Sequence, residues 1–568
     1  DGGDSYSPER KELKLKVDFT LINPVNHYRK TLVDNLAILN LRAVSEAAGF
    51  STHVIDFQRK FLEEEKTFSK EIYRWFSDEI KAIESPVFGV SIMNASYIWG
   101  IMIAKIIKRV HPESVIIFGG PQITSLREMV FQDCPEVDFL SIFDGEETLP
   151  LLLEYIACGA QGDLPKNSIS KTGDSGLCEL VEYDINNLPE LDYSNSYGMN
   201  VVNIEAGRGC PFNCYYCSSR VLLGQKARFL NVDKLLETSQ HVYDCMAKTG
   251  TLSSINYNHD NFLASHKYFF EFAVKKYAMD YDFKYNCEGR IDTITPEIIG
   301  LLKATGCISV FVGLETGSQR MQRICRKNLN LKKVVPTVKS IISSGLRFET
   351  NFIIGFPEET YSEVLDTLAL AQEVASTSFM SNVDFSYMSP EPLTDVAQGL
   401  NEDDYIIVKE SQYYLDLLAA GIDPNSLSPL HFNHLYTVRN ENYDILDVLA
   451  RADTYFDLIN HFKFATYLMI HRDGKSIEDI FEMCRDRDAF AVAESYTATL
   501  DQAGVYYAVS CFEIDRLAIV RREERAQDVL FYRYPVQKLY QLFIETMNIS
   551  GFESVASTPT KIVVRSAK

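Results

Sequence analysis

Between residues 17 and 150 the chain alternates short apolar runs with longer segments of helical spacing. The runs VDFTLINP (17–24), THVIDF (52–57), VFGVSIMN (87–94), SVIIFGG (114–120) and VDFLSIF (137–143) are short, rich in β-branched residues and ended by turn formers. That is the pattern of buried strands. Apolar positions at helical intervals over 31–48 and 97–110 predict helices between them. Regular alternation of the two predicts an α/β fold: a parallel sheet covered on both faces, with ligands bound at the carboxyl ends of the strands. Those ends carry Asn26 and His27, Ser91 to Asn94, Gly119-Gly120-Pro121-Gln122 and Asp144-Gly145-Glu146-Glu147. Glycines there either admit a bulky ligand close to the backbone or simply make tight turns.

From about 158 to 198 the periodicity fades and Gly, Ser, Asp and Asn rise, as a linker would. A second series follows, with strands predicted at 201–205, 252–257, 283–287, 308–313, 349–354 and 382–388. Its helices carry their own punctuation: Thr295-Pro296 opens one that Gly306 ends, and Thr360 with Glu363 forms a capping-box pattern before VLDTLALAQEVA. Six β/α units predict an incomplete barrel, whose chemistry lies on the loops after the strands. After about 395 the segments become long, helical and aromatic-rich, which predicts a third, mainly helical domain. Within it, IHRDGKSIEDIF and LDQAGVYYAV resemble a small winged-helix pattern used for peptide docking; ordinary packing is the alternative.

At 568 residues the chain is too long for one core. Apolar residues make up 46% and charged residues 24%, the balance of a folded soluble protein. No run approaches the roughly 18–20 apolar residues of a membrane span, and DGGDSYSPER lacks an apolar signal core, so the expected location is the cytoplasm. With 56 basic and 78 acidic residues the formal charge is −22. A phosphate backbone would be repelled, so nucleic acid is not an expected partner. Twelve cysteines without a secretory signal fit reduced thiols.

Three of those cysteines, Cys210, Cys214 and Cys217, crowd into GRGCPFNCYYC at 207–217, after the first strand of the second series. Three thiolates so spaced can converge on one soft metal centre. Structural zinc normally takes four protein ligands, and no nearby Cys or His supplies the fourth. An iron–sulfur cube with one iron lacking a protein ligand fits better, since the open position can bind a substrate or cofactor.

The CxxxCxxC spacing, with Tyr216 before the last cysteine, resembles the signature of the radical S-adenosylmethionine (SAM) superfamily. VGLETGS (312–318) is similar to that family's SAM-binding segment after the fourth barrel strand, and IIGFPEE (353–359) to its segment after the fifth. The resemblance implies that Cys210, Cys214 and Cys217 hold a 4Fe-4S cluster and that Tyr216, Gly313, Glu315, Ser318 and Gly355 surround SAM. FGGPQIT, IFDGEETLPLLL and INNLPELDY further resemble the cobalamin-binding half of the cobalamin-dependent radical SAM enzymes, mostly class B methyltransferases. The two resemblances span roughly residues 17–390.

They imply a Rossmann-like cobalamin-binding domain at 1–158, a linker at 159–198, a partial (β/α)6 TIM barrel at 199–395 and a mainly helical domain at 396–568 that could bind substrate. Cobalamin contacts would come from Asn26, His27, Ser91, Met93, Gly119, Gly120, Pro121, Gln122, Gly145 and Glu146. Where the group often has His after GGP, this chain has Gln122, and the cobalt-ligating DxHxxG motif is missing. Cobalamin without a protein lower ligand is therefore expected, with His27 as the alternative ligand. Glu288, Arg290 and Tyr387 are the candidate catalytic residues; Asn258, His259 and Asp260 also face the expected substrate, although Arg290 could equally pair with a neighbouring carboxylate.

The implied activity is C-methylation of a natural-product or peptide substrate, with electrons from an external donor such as flavodoxin or ferredoxin. Ring contraction or cyclisation with the same cofactors is the nearest rival, and an inactive metal-containing binding protein the rival of another class. Transfer-RNA methylthiolation is disfavoured, because the carboxy-terminal region is neither basic nor cysteine-rich.

Overall fold

The computed structural model describes residues 14–27, 34–180, 182–196, 199–247, 252–279, 281–378, 380–461, 463–471, 474–486, 527–532 and 560–565. The chain divides into two compact units. The first holds Asp1–Lys275, Met279–Phe283 and Ser389–Thr437; the second holds Lys276–Ala278, Lys284–Met388 and the chain from Val438 on.

The first unit contains a six-stranded sheet of β1 (Phe19–Asn23), β2 (Thr52–Asp56), β3 (Val87–Ser91), β4 (Val115–Gly119), β5 (Phe139–Ser141) and β6 (Ser168–Ser170), in the order β2-β1-β3-β4-β5-β6. All neighbours run parallel except β6, which is antiparallel to β5. β1 and β3 are buried at every position, because both faces of the sheet are covered. Ile22, Val90 and Phe118 face one core with the helix Tyr97–Val110; Phe19, Leu21 and Ile117 face the other with Leu149, Leu152 and Leu153. Tyr405, Tyr413, Leu417, Phe432 and Leu435 join the first of these cores, so Ser389–Thr437 packs as part of this unit. The stretch read as a linker supplies β6, whose Ser-Ile-Ser composition gives no strand signal.

The same unit holds a parallel pair, β7 (Val201–Glu205) and β10 (Ser254–Asn258), with Glu205 opposite Asn258. Between them in sequence, β8 (Gly207–Arg208) and β9 (Arg228–Phe229) form an antiparallel ribbon. The second unit is built on a parallel ladder of β11 (Tyr285–Gly289), β12 (Cys307–Glu315), β13 (Arg347–Ile354) and β14 (Ser381–Tyr387). Helices Pro296–Ala304, Val334–Ser343 and Tyr361–Ala375 connect its strands. Thr295 Oγ1 accepts from Ile298 N at 3.4 Å, and Glu363 closes the Thr360 capping box at 3.0 Å, as the sequence punctuation requires. The docking-like pattern over IHRDGKSIEDIF falls partly on helices Lys463–His471 and Ile477–Met483, while LDQAGVYYAV lies outside the described residues. No helix among the described residues is long and apolar enough to cross a membrane.

Candidate functional site

The cysteine loop leaves β7 through two closely packed glycines. A Cβ at Gly207 would collide with the Arg228 carbonyl and the His259 ring, and one at Gly209 (φ +80°) would lie 2.5 Å from Lys226 O. Only glycine allows that approach. Cys210, Cys214 and Cys217 follow, all half-buried and unbridged. Burial pushes the Cys210 and Cys217 thiols up, and the charges of Asp260 and of the neighbouring thiols push in the same direction; hydrogen bonding from Ser219 opposes this at Cys217. No set of three His, Cys, Asp or Glu among the described residues is arranged around a single ion. Three closely spaced cysteines suit an iron–sulfur cube with one open iron, whereas structural zinc normally takes four protein ligands.

Asp260, at the end of β10, ties both ends of the loop. Its Oδ2 accepts from Gly209 N at 2.7 Å and its Oδ1 from Ser219 Oγ at 2.6 Å. His259 beside it is buried, accepts from Asn261 N at 2.9 Å through Nδ1 and lies 4.5 Å from the Phe229 ring. Burial lowers its pKa to about 4, so the ring is neutral near pH 7. Tyr216 is half-buried, with Tyr215 set edge-on at 6.3 Å.

Arg208, between the two glycines, is surrounded by acids. It bonds Glu205, Asp144 (3.1 Å) and Glu146, while Arg228 reaches Asp144 at 2.8 Å and Tyr183 O at 2.7 Å. Asn40 adds bonds to Glu146 (3.3 Å) and Glu205 (2.7 Å). Burial alone would raise the Glu146 pKa, but Arg208 outweighs it and holds the carboxyl below its usual range. The Asp144-Gly145-Glu146 turn is thus bonded to the root of the cysteine loop. Nothing in the sequence pattern signals this network, because its members lie up to 165 residues apart.

The other expected cobalamin contacts cluster at the carboxyl edge of the first sheet. Gly120 has φ +106°, and a Cβ there would lie 2.5 Å from Ile92 O, so its glycine is required by backbone approach within the protein itself. Gly119 lies against Ser141, and Pro121 opens the short helix Pro121–Leu126. Gln122 is buried and donates to His431 O at 2.8 Å. Asn26 Nδ2 reaches Met93 Sδ at 3.9 Å; Met93 is 40% exposed, and Ser91 is buried. His27 Nε2 lies 3.2 Å from Asp416 Oδ2, with Tyr413 and Phe68 rings at 4.8 and 5.3 Å. Asn94, on the same strand-end loop as Met93, donates to Glu391 at 3.0 Å and Asn433 at 2.7 Å, and His434 lies 3.6 Å from Glu391.

In the second unit, Glu315 ends β12 in a left-handed conformation (φ +66°) at a break in strand register. Its Oε1 accepts from Lys327 Nζ at 2.6 Å, both side chains being buried, and a side chain at Gly313 would strike this carboxylate. Arg290 donates to Lys327 O at 2.7 Å and to Asp292 at 2.9 and 3.0 Å, the neighbouring-carboxylate pairing that the sequence left open. Lys327 thereby joins Arg290, Gly313 and Glu315, although no motif marked it. Ser318 caps helix Gln319–Ile324 and donates to Glu363 at 2.7 Å. Gly355 (φ +98°) donates its N–H to Glu359 at 2.9 Å, which also accepts from Tyr443 at 2.9 Å. Burial raises Glu359 to about 7. Glu288 on β11 and Tyr387 at the end of β14 are half-buried.

Residues 204–371 match the model of the radical SAM superfamily, and over most of the chain the fold is similar to that of solved cobalamin-dependent radical SAM enzymes. The tryptophan- and aza-SAM-bound methyltransferase TsrM of Kitasatospora setae superposes with a TM-score of 0.59 at 14% identity, covering 78% of this chain and 90% of that one. OxsB, with aqua-cobalamin and SAM bound, gives 0.58 at 14% identity, covering 91% and 79%. Among curated sequences, an uncharacterized methyltransferase of Pyrococcus horikoshii is 24% identical over 311 residues, 52% of this chain. The match takes in 66% of that protein's own length.

Proposed function

We propose that the protein is a cobalamin-dependent radical SAM C-methyltransferase acting on a small-molecule or peptide substrate. The carrying observation is the Cys210, Cys214, Cys217 loop, held by Asp260 within the radical SAM domain. On this reading β7, β10 and β11–β14 are the six strands of the partial barrel, and the first sheet is the Rossmann-like cobalamin domain. When bound, the cluster with SAM supplies a hydrogen-abstracting carbon radical and methylcobalamin supplies the methyl group.

The chain's own residues hold, orient and exclude. The three cysteines would hold the cluster as thiolate ligands. Glu315, held in place by Lys327, offers a carboxylate to the amino group of SAM; Ser318 and Gly355 shape the neighbouring backbone. The edge formed by Gly119, Gly120, Pro121 and Met93 offers backbone and apolar surface to a corrin face. His27 Nε2 is engaged with Asp416, and cobalamin would be held without a protein lower ligand, as the missing DxHxxG motif suggests. OxsB, which binds aqua-cobalamin and SAM, and TsrM, which binds cobalamin and a [4Fe-4S] cluster, support the cofactor set.

The test is anaerobic iron and corrinoid loading followed by reduction in the presence of SAM. The reading expects stoichiometric corrinoid uptake and release of 5′-deoxyadenosine, and a substrate product heavier by one methylene. Absent corrinoid uptake, or a product of unchanged mass, would contradict it.

A further inference from the structure

We propose that Asp260 is a positioning residue for the iron–sulfur cluster, closing the cysteine loop at both ends and fixing a negative charge beside it; this rests on the cluster reading above. One carboxylate accepts from the amide immediately before Cys210 and from the hydroxyl two residues after Cys217. All three cysteines therefore lie on a span pinned at its two ends by a single side chain. That side chain is itself rigidly mounted. β10 pairs in register with β7, and Ala206 N donates to Asn258 O at 2.9 Å, so the strand that ends two residues before Asp260 is bonded to the strand that launches the loop. The turn carrying it is fixed by the His259–Asn261 bond and by the Phe229 ring.

Two consequences follow from electrostatics and geometry. Ligands held by an outer shell keep their orientation, so loss of the tie loosens the thiols. A fixed anion disfavours addition of an electron to a nearby cluster, so Asp260 lowers the reduction potential. A merely structural carboxylate would produce the first effect only.

The experiment uses the full chain, anaerobically iron-loaded, and reads iron content, the cubane electron paramagnetic resonance spectrum and the midpoint potential. Asp260→Asn keeps an acceptor for one tie and removes the charge; it is expected to retain the cluster with a more positive midpoint. Asp260→Ala removes both ties and is expected to lose at least half the iron. Ser219→Ala breaks one tie and removes a hydrogen bond to Cys217 but leaves the charge, so its midpoint should not move in the positive direction. If Asp260→Asn loads poorly, Asp260→Glu must restore both iron and midpoint. An unchanged midpoint in Asp260→Asn, or full iron in Asp260→Ala, overturns the inference while leaving the cluster reading intact. A wild-type chain that takes up no cluster overturns both.

Discussion

Arg208 stands between Gly207 and Gly209, faces Glu205, Asp144 and Glu146, and is almost fully removed from water. Removing one partner of a buried charge network leaves the others unpaired, which costs about 3–5 kcal/mol. Arg208→Met is therefore expected to lower the unfolding free energy by that order, and to reduce iron uptake because the same residue roots the cysteine loop; denaturant titration and iron assay check both. Ser318 presents a smaller case. Its Oγ caps a helix and donates to Glu363, so Ser318→Ala should destabilise by roughly 0.5–2 kcal/mol in the same titration.

Glu363 allows the sign of a pH effect to be worked out. Burial pushes its pKa up, but Arg320, Ser318 and Thr360 prevail and bring it to about 2, below the 4.5 of a free glutamate. Its contribution is fully present above about pH 4.5 and is lost as pH falls toward 2. Glu363→Gln should flatten the pH dependence of stability in that window and leave the dependence above it unchanged.

At the scale of elements, the strands were legible because buried parallel strands are short, β-branched and apolar throughout. THVIDF became Thr52–Asp56 and VVNIE became Val201–Glu205. The capping box at Thr360 was equally legible, since it is written in two nearby residues. β6 was not, because three residues of Ser-Ile-Ser carry no period. Gly120 was singled out from its place at a strand end, and the structure supplies the reason: its backbone touches that of Ile92. Gly120→Ala forces both a positive φ and a collision with backbone, so it should lower thermal stability measurably, whereas Gly159→Ala, which meets nothing within 4 Å, should cost only the strain of its φ of +80°.

At the scale of the whole molecule, local motifs announced the cysteine loop, Glu315 and Gly355, and long-range bonds decided what surrounds them. Lys327, Asp260, Arg228 and the Asn94–Glu391–His434 group lie far in sequence from their partners or carry no motif of their own, so composition and spacing are silent about them. Asp260 was read as facing substrate, and its two bonds to the cysteine loop lie outside what the sequence could show. The described residues thus join two kinds of information: chemistry written in short motifs and support written only in the fold.

The most direct test is electron paramagnetic resonance of anaerobically loaded, reduced protein before and after SAM addition, compared with a variant carrying alanine at 210, 214 and 217. The account predicts a reduced four-iron signal that SAM perturbs and that the variant lacks. A wild-type chain without that signal, or a variant that keeps it, would contradict the account.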